Sequence, residues 1–235
     1  MNIHRRKFIT RTAALATGVS VFSVLAPSIL HWSAEVTGLG SFAPATDARA
    51  QAVVPIDELM KPGPLGDMSE GSEDAPVTIV EYASMTCPHC ARFHTNVYPL
   101  LKKKYIDTGK VRLIMREFPL DRLALAAIML ARCADKSQFF PMIGVLYKQQ
   151  TVWARSKDPA TELFKIAKQA GFTEEKFNSC LSNKKIAQGV LDVMNKGRDK
   201  FKINSTPTFF INGQKLNGGL SFVDFEKLVL SHLNS

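Results

Sequence analysis

Residues 77–90 read VTIVEYASMTCPHC, and the fold turns on how this stretch is read. Val77 to Tyr82 is a short β-branched apolar run of the kind that forms a buried strand. Ala83 to Thr86 bridge it to two thiols, Cys87 and Cys90, which enclose Pro88 and His89. Beyond Cys87 apolar residues recur at helical spacing, at Phe93, Val97, Leu100, Leu101 and Tyr105, to about Ile106. Pro99 falls inside this pattern and is expected to kink it, having no amide hydrogen and clashing with the preceding turn. Asp107-Thr108-Gly109 ends the helix, and Val111 to Phe118 (VRLIMREF) reads as a second strand. Strand, helix and strand joined in this way predict a parallel pair with a right-handed crossover.

Outward from that unit the character changes. Residues 55–76, rich in Pro, Gly, Ser and acids, read as loop. From about Arg122 to Phe201 four or five helical segments follow with no convincing strand. Gly171 suits a helix stop there, and Thr173 a helix start. Thr208 to Ile211, Asn212-Gly213 and Gln214 to Leu216 form a hairpin signal, because Asn-Gly suits a turn with positive φ at both residues. SFVDFEKLVLSHL, residues 221–233, closes the chain as an amphipathic helix. The predicted class is α/β, in the order β-α-β, an all-helical insertion at about 119–202, then β-β-α, around one core.

Of 235 residues 46% are apolar and 22% charged, a composition suited to a globular protein with one sizeable core. The formal charge of +9 is spread out, and its densest runs, Lys102–Lys104 and Lys184-Lys185, lie in amphipathic helical patterns. Without an aromatic-studded basic stripe this excludes nucleic acid as a partner. Residues 1–11 are basic and lack acids, and no Lys, Arg, Asp or Glu occurs from Thr12 to Ala34. A basic start, a mildly apolar middle and a small-residue exit at Ala48-Arg49-Ala50 describe an export signal cleaved after Ala50. Arg5-Arg6 followed by Lys7-Phe8-Ile9 resembles a twin-arginine signal, the alternative being an ordinary secretory one. The mature chain, 51–235, would carry +6 and reside in the periplasm, where disulfides persist.

Four cysteines are too few for a disulfide scaffold. The Cys87–Cys90 pair admits three readings. Structural zinc needs about four ligands, and Cys133 and Cys180 stand alone, with His94 the one other nearby candidate. An inert staple around two residues would restrict the unfolded chain little. A reactive pair fits the positions better. Pro88 stands where the first helical residue belongs, which puts Cys87 at a helix N-terminus. Unpaired N–H groups and the positive end of the helix dipole favour a thiolate there. His89 would add a donor, and Cys90 lies near enough to close a disulfide. Each pKa unit of thiolate stabilisation makes the pair a stronger oxidant by roughly 30 mV.

VTIVEYASMTCPHC, a helical insertion, and STPTFFINGQ at 205–214 together resemble the DsbA-like thiol-disulfide oxidoreductases of the thioredoxin superfamily, over roughly 60–232. The resemblance implies a thioredoxin-like fold in which Cys87 is the exposed nucleophile and Cys90 the buried resolving thiol. It implies that Pro207 is a cis-proline facing the pair. Thr206 would then turn its backbone toward Cys87 and an extended substrate segment. Glu81, six residues before Cys87, matches the family's buried acid, which exchanges a proton with the buried thiol. Some members carry a second disulfide in the helical region, which Cys133 and Cys180 would form; two free buried thiols are the alternative.

On this resemblance the chain is a monomeric, exported oxidase that passes the Cys87–Cys90 disulfide to folding cysteine-containing proteins. It would need no metal or cofactor and would be reoxidised by a quinone-linked membrane protein of the DsbB type. Thr206 departs from the Val that oxidases often carry there and is commoner among isomerase- and reductase-like relatives. The alternatives are therefore an isomerase or reductase kept reduced by a membrane electron donor, and a peptide-binding chaperone with an idle thiol pair.

Overall fold

A computed structural model of the chain describes residues 50–234. The leader read at residues 1–50 lies outside them, except for Ala50, which begins the first strand. Strands β1 (Ala50–Val53), β2 (Met68–Glu70), β3 (Val77–Ala83) and β4 (Val111–Glu117) join β5 (Thr208–Ile211) and β6 (Gln214–Asn217) in one sheet of order β1-β6-β5-β3-β4-β2. β3 and β4 pair in parallel, as the crossover length requires, and the other pairings are antiparallel. The β5–β6 hairpin turns on Asn212 and Gly213 at φ 45° and 87°.

Between β3 and β4 the chain is continuously helical over residues 88–106, as α2 (Pro88–Arg92) and α3 (Tyr98–Leu101) with wide π-helical turns at Phe93–Val97 and Lys102–Ile106. The first wide turn falls just before Pro99, where the helix is expected to be disturbed. Pro99 has no N–H for the carbonyl four residues back, and the turn just before it widens so that Tyr98 N–H reaches Phe93 O.

Side-chain alternation along β3 sorts the core. Val77 and Ile79 face the α2–α3 stretch and the closing helix, packing with Phe93, Val97, Phe209 and Phe225. Val80 and Tyr82 face the opposite layer, with Leu59, Phe201 and Phe210. By the same period Glu81 belongs to the first face.

Six helices fill the insertion, one more than the upper expectation: α4 (Arg122–Cys133), α5 (Phe139–Lys148), α6 (Gln150–Trp153), α7 (Pro159–Gln169), α8 (Glu174–Leu181) and α9 (Lys184–Phe201). Asp121, Asp158, Thr173 and Asn183 cap the N-termini of α4, α7, α8 and α9 with side-chain oxygens. Cys133 and Cys180 form a disulfide with 6.0 Å between their Cα atoms, linking α4 to α8. The last helix, α10 (Phe222–Leu233), is capped by Ser221.

Residues 55–76 are not all loop. They hold α1 (Ile56–Met60) and the edge strand β2. The reason is Arg116 on β4, whose buried guanidinium donates to the carbonyls of Leu59 and Lys61 and to the Asp67 carboxylate. A buried charge must be paired, and this one fixes a segment about fifty residues away in sequence.

Candidate active site around Cys87 and Cys90

The β3 strand delivers the chain to Cys87, the residue that caps α2, with Pro88 at the first helical position. Both thiols are unbonded, so the structure is that of the reduced form. In its protonated form the Cys87 thiol donates to the carbonyl of Thr206 at 3.2 Å, across 119 residues of sequence. The Thr206–Pro207 peptide bond is cis.

The two sulfurs differ sharply in acidity. Hydrogen bonding from the Cys90 thiol is the largest cause lowering Cys87, joined by Thr206 and the backbone N–H groups of Cys90 and His89. Against some opposing burial these bring its pKa down to about 5. The Thr206 hydroxyl is buried. Burial, first, pushes Cys90 well up, followed by its bond to Cys87 and the negative charge of Glu81. One sulfur is held as an anion while its neighbour keeps its proton.

Two expectations differ from what is found. Cys87 is not openly exposed: it retains 5% of its surface against 0% for Cys90, because Thr206 and the helical insertion close over it. The exposed residues are Pro88 and His89. His89 serves Cys87 through its backbone amide, while its ring accepts a hydrogen bond from Arg92 on Nδ1 at 2.6 Å.

Glu81 is fully buried in the central strand, opposite Met115 on β4 and Phe209 on β5. Three further residues complete the site and were not singled out for it from the sequence. Gln150 on α6 donates to the carbonyls of Met85 and Cys87, at 2.8 and 3.0 Å, and so fixes the loop before the thiols. Tyr147 on α5 donates to Ser84 O at 3.2 Å, and burial raises its phenol well above the usual range. His94 donates from Nε2 to Glu81 Oε2 at 2.9 Å. The available signal was positional: His94 follows Phe93 on the helix that covers the Glu81 face of the sheet. Among the described residues no group of three His, Cys, Asp or Glu side chains is placed to hold a metal ion. A shallow cavity of about 360 Å³ lies beside α2, lined by His89, Phe93, Val97, Leu220 and Phe222 among others.

This geometry has counterparts in known proteins. The thioredoxin family model matches residues 65–230. A Rickettsia bellii protein provisionally named a protein-disulfide oxidoreductase is 39% identical over 148 residues, covering 63% of this chain and 57% of the relative. The matched part thus spans a little over half the length of that relative. The crystal structure of α-DsbA1 from Wolbachia pipientis is 33% identical, covers 76% of this chain and 96% of that one, and has a TM-score of 0.70. BdbD from Bacillus subtilis, in its oxidised form, shares the fold at 19% identity and a TM-score of 0.66 over 80% of this chain and all of its own. With its family model matched over most of the chain and a DsbA structure matched nearly end to end, the chain belongs to the thioredoxin superfamily as a DsbA-like thiol-disulfide oxidoreductase.

Proposed function

We propose that the protein is an oxidase that donates the Cys87–Cys90 disulfide to cysteine-containing proteins. The observation that carries this reading is the opposed acidity of the two thiols, about 5 for Cys87 and well above the ordinary value for Cys90. A stabilised thiolate is a good leaving group and lowers the free energy of the reduced form, so handing the disulfide on is downhill.

A substrate thiolate attacks Cys87 Sγ, the Cys87–Cys90 bond breaks, and the electron pair leaves on Cys90, which takes up a proton. A second substrate thiolate then attacks the substrate sulfur of the mixed disulfide and expels Cys87 as a thiolate. The substrate gains a disulfide, and its two electrons now reside in the enzyme's dithiol. In this reading Thr206 and cis-Pro207 present backbone to an extended substrate segment, whose side chains settle in the cavity beside α2. DsbA-like proteins act on cysteine-containing substrates, and here the proposed ones are exported proteins during folding. The working unit is a monomer in the periplasm, and a DsbB-type membrane protein returns the enzyme to the disulfide form. Among the described residues no helix is long and apolar enough to cross a membrane.

Thr206 favours a second reading, an isomerase or reductase kept reduced by a membrane donor. Equilibration against glutathione buffers separates the two. An oxidase stays reduced until the buffer is strongly oxidising, and trapping of cellular thiols finds it mostly as the disulfide. A reductase-like potential, with a mostly reduced pair in cells, would refute the oxidase reading.

A further inference from the structure

Glu81 is wholly buried, and among the described residues the one hydrogen bond to its carboxylate comes from His94, onto Oε2. The second oxygen, Oε1, has no partner. Leaving one oxygen of a buried carboxylate without a partner costs about 1–3 kcal/mol. Glu117 shares this feature but is paired with Arg132, whereas among the described residues Glu81 has no basic group other than His94 beside it. Its negative charge reaches Cys90.

His94 is in turn held on several sides. Its ring stacks on Tyr147 with centroids 4.5 Å apart and planes at 19°, and meets Phe93 and Tyr98 at 5.2 Å. Neither phenol competes for Glu81. Tyr147 OH is engaged with Ser84 O, and Tyr98 OH bonds Glu70, which has Lys102 3.6 Å away. An aromatic cage therefore aims one imidazole nitrogen at one carboxylate oxygen.

We infer that His94 is a positioning residue for the thiol chemistry: it pins one oxygen of Glu81 so that the other stands ready to give Cys90 a proton and take it back. This rests on the proposed exchange at Cys87. When the internal disulfide opens, the Cys90 thiolate takes a proton from the Glu81 carboxyl. When Cys90 attacks a mixed disulfide on Cys87, Glu81 accepts that proton, the Cys87–Cys90 bond forms and the other thiol leaves as a thiolate.

The test uses the full chain, reduced, with oxidised glutathione as probe, and follows two steps by rapid quenching and mass spectrometry at pH 7. The first is formation of the glutathione adduct at Cys87; the second is its resolution by Cys90. His94→Phe is expected to slow resolution about tenfold, part of the 10²–10⁴ a general base supplies, and to leave adduct formation within about twofold. His94→Gln, which keeps an N–H able to reach Glu81, is expected to resolve within about threefold of the parent. Glu81→Gln should be at least as slow as His94→Phe, and the double variant no slower than Glu81→Gln alone. If His94→Phe does not fold, His94→Asn, too short to reach Glu81, takes its place. Unchanged resolution, equal slowing of both steps, failure of His94→Gln to restore the rate, or additive losses in the double variant would each overturn the inference. A parent chain that forms no adduct at Cys87 would sink the underlying exchange itself, and with it this role.

Discussion

The molecule holds two cysteine pairs with opposite fates. Cys133 and Cys180, 47 residues apart, are bonded across two helices of the insertion. Cys87 and Cys90 share one helical turn at the end of the central strand and are both unbonded. What separates the pairs is what surrounds them. A bridge between distant points restricts the unfolded chain by about 4 kcal/mol in the loop-entropy model, whereas one around two residues restricts it little. The close pair instead has the Cys90 thiol, Thr206 and two backbone amides at a helix start acting on one sulfur, and burial with a nearby carboxylate on the other. Distance makes the first disulfide a fastener, and electrostatic asymmetry makes the second an exchangeable one.

The largest expected effect breaks the comparison at its reactive end. Cys87→Ser should lower the rate of dithiol-peptide oxidation at least about a thousandfold, on the scale of losing a nucleophile, while Cys133→Ser with Cys180→Ser leaves it within a few-fold. A peptide-oxidation assay on the purified variants decides this, and retained turnover in Cys87→Ser would be contrary. Next comes the fastener: the Cys133/Cys180 double variant should lose about 4 kcal/mol in denaturant unfolding. A loss near zero would mean that helix packing alone holds the insertion.

The third prediction concerns pH. The folded-state pKa of Cys87, about 5, lies below its unfolded value, so the stability it gives the reduced protein is full above the unfolded pKa and is lost as pH falls through about 5. The reduced form should be more stable than the oxidised by about 3 kcal/mol at pH 7, and that advantage should fade toward pH 5. Thermal unfolding of both forms across this range measures it. Cys133–Cys180 is bonded in both and contributes no such dependence. The smallest effect belongs to the loop feeding the reactive pair. Gln150→Leu strips Met85 O of its buried donor and should cost about 1–3 kcal/mol, read by urea unfolding.

Much of this was legible in the sequence because local signals agreed. The β-branched run at 77–82, Pro88 after Cys87, the Asn212-Gly213 turn and the Thr173 cap each specify their own conformation and each occurs in the structure. What escaped depends on partners far along the chain. α1 and β2 form where the buried Arg116 guanidinium demands acceptors, and nothing in residues 55–76 announces that demand. β1 exists by pairing with β6, near the other end of the chain. From the sequence His94 is a candidate metal ligand only, because its partner lies on a different element, and only the two-residue alternation of β3 aims Glu81 toward it. Cys87 was expected to be open, whereas Thr206, 119 residues away, and the insertion close over it.

The proposed chemistry depends on the charge of one sulfur. Thiolate absorbance at 240 nm, followed from pH 3 to 10 on the reduced protein with Cys87→Ser as the blank, measures it directly. A rise centred near pH 5 and absent from the Cys87→Ser variant is the predicted result. A rise centred near 8.5, the value of an ordinary cysteine, would contradict it.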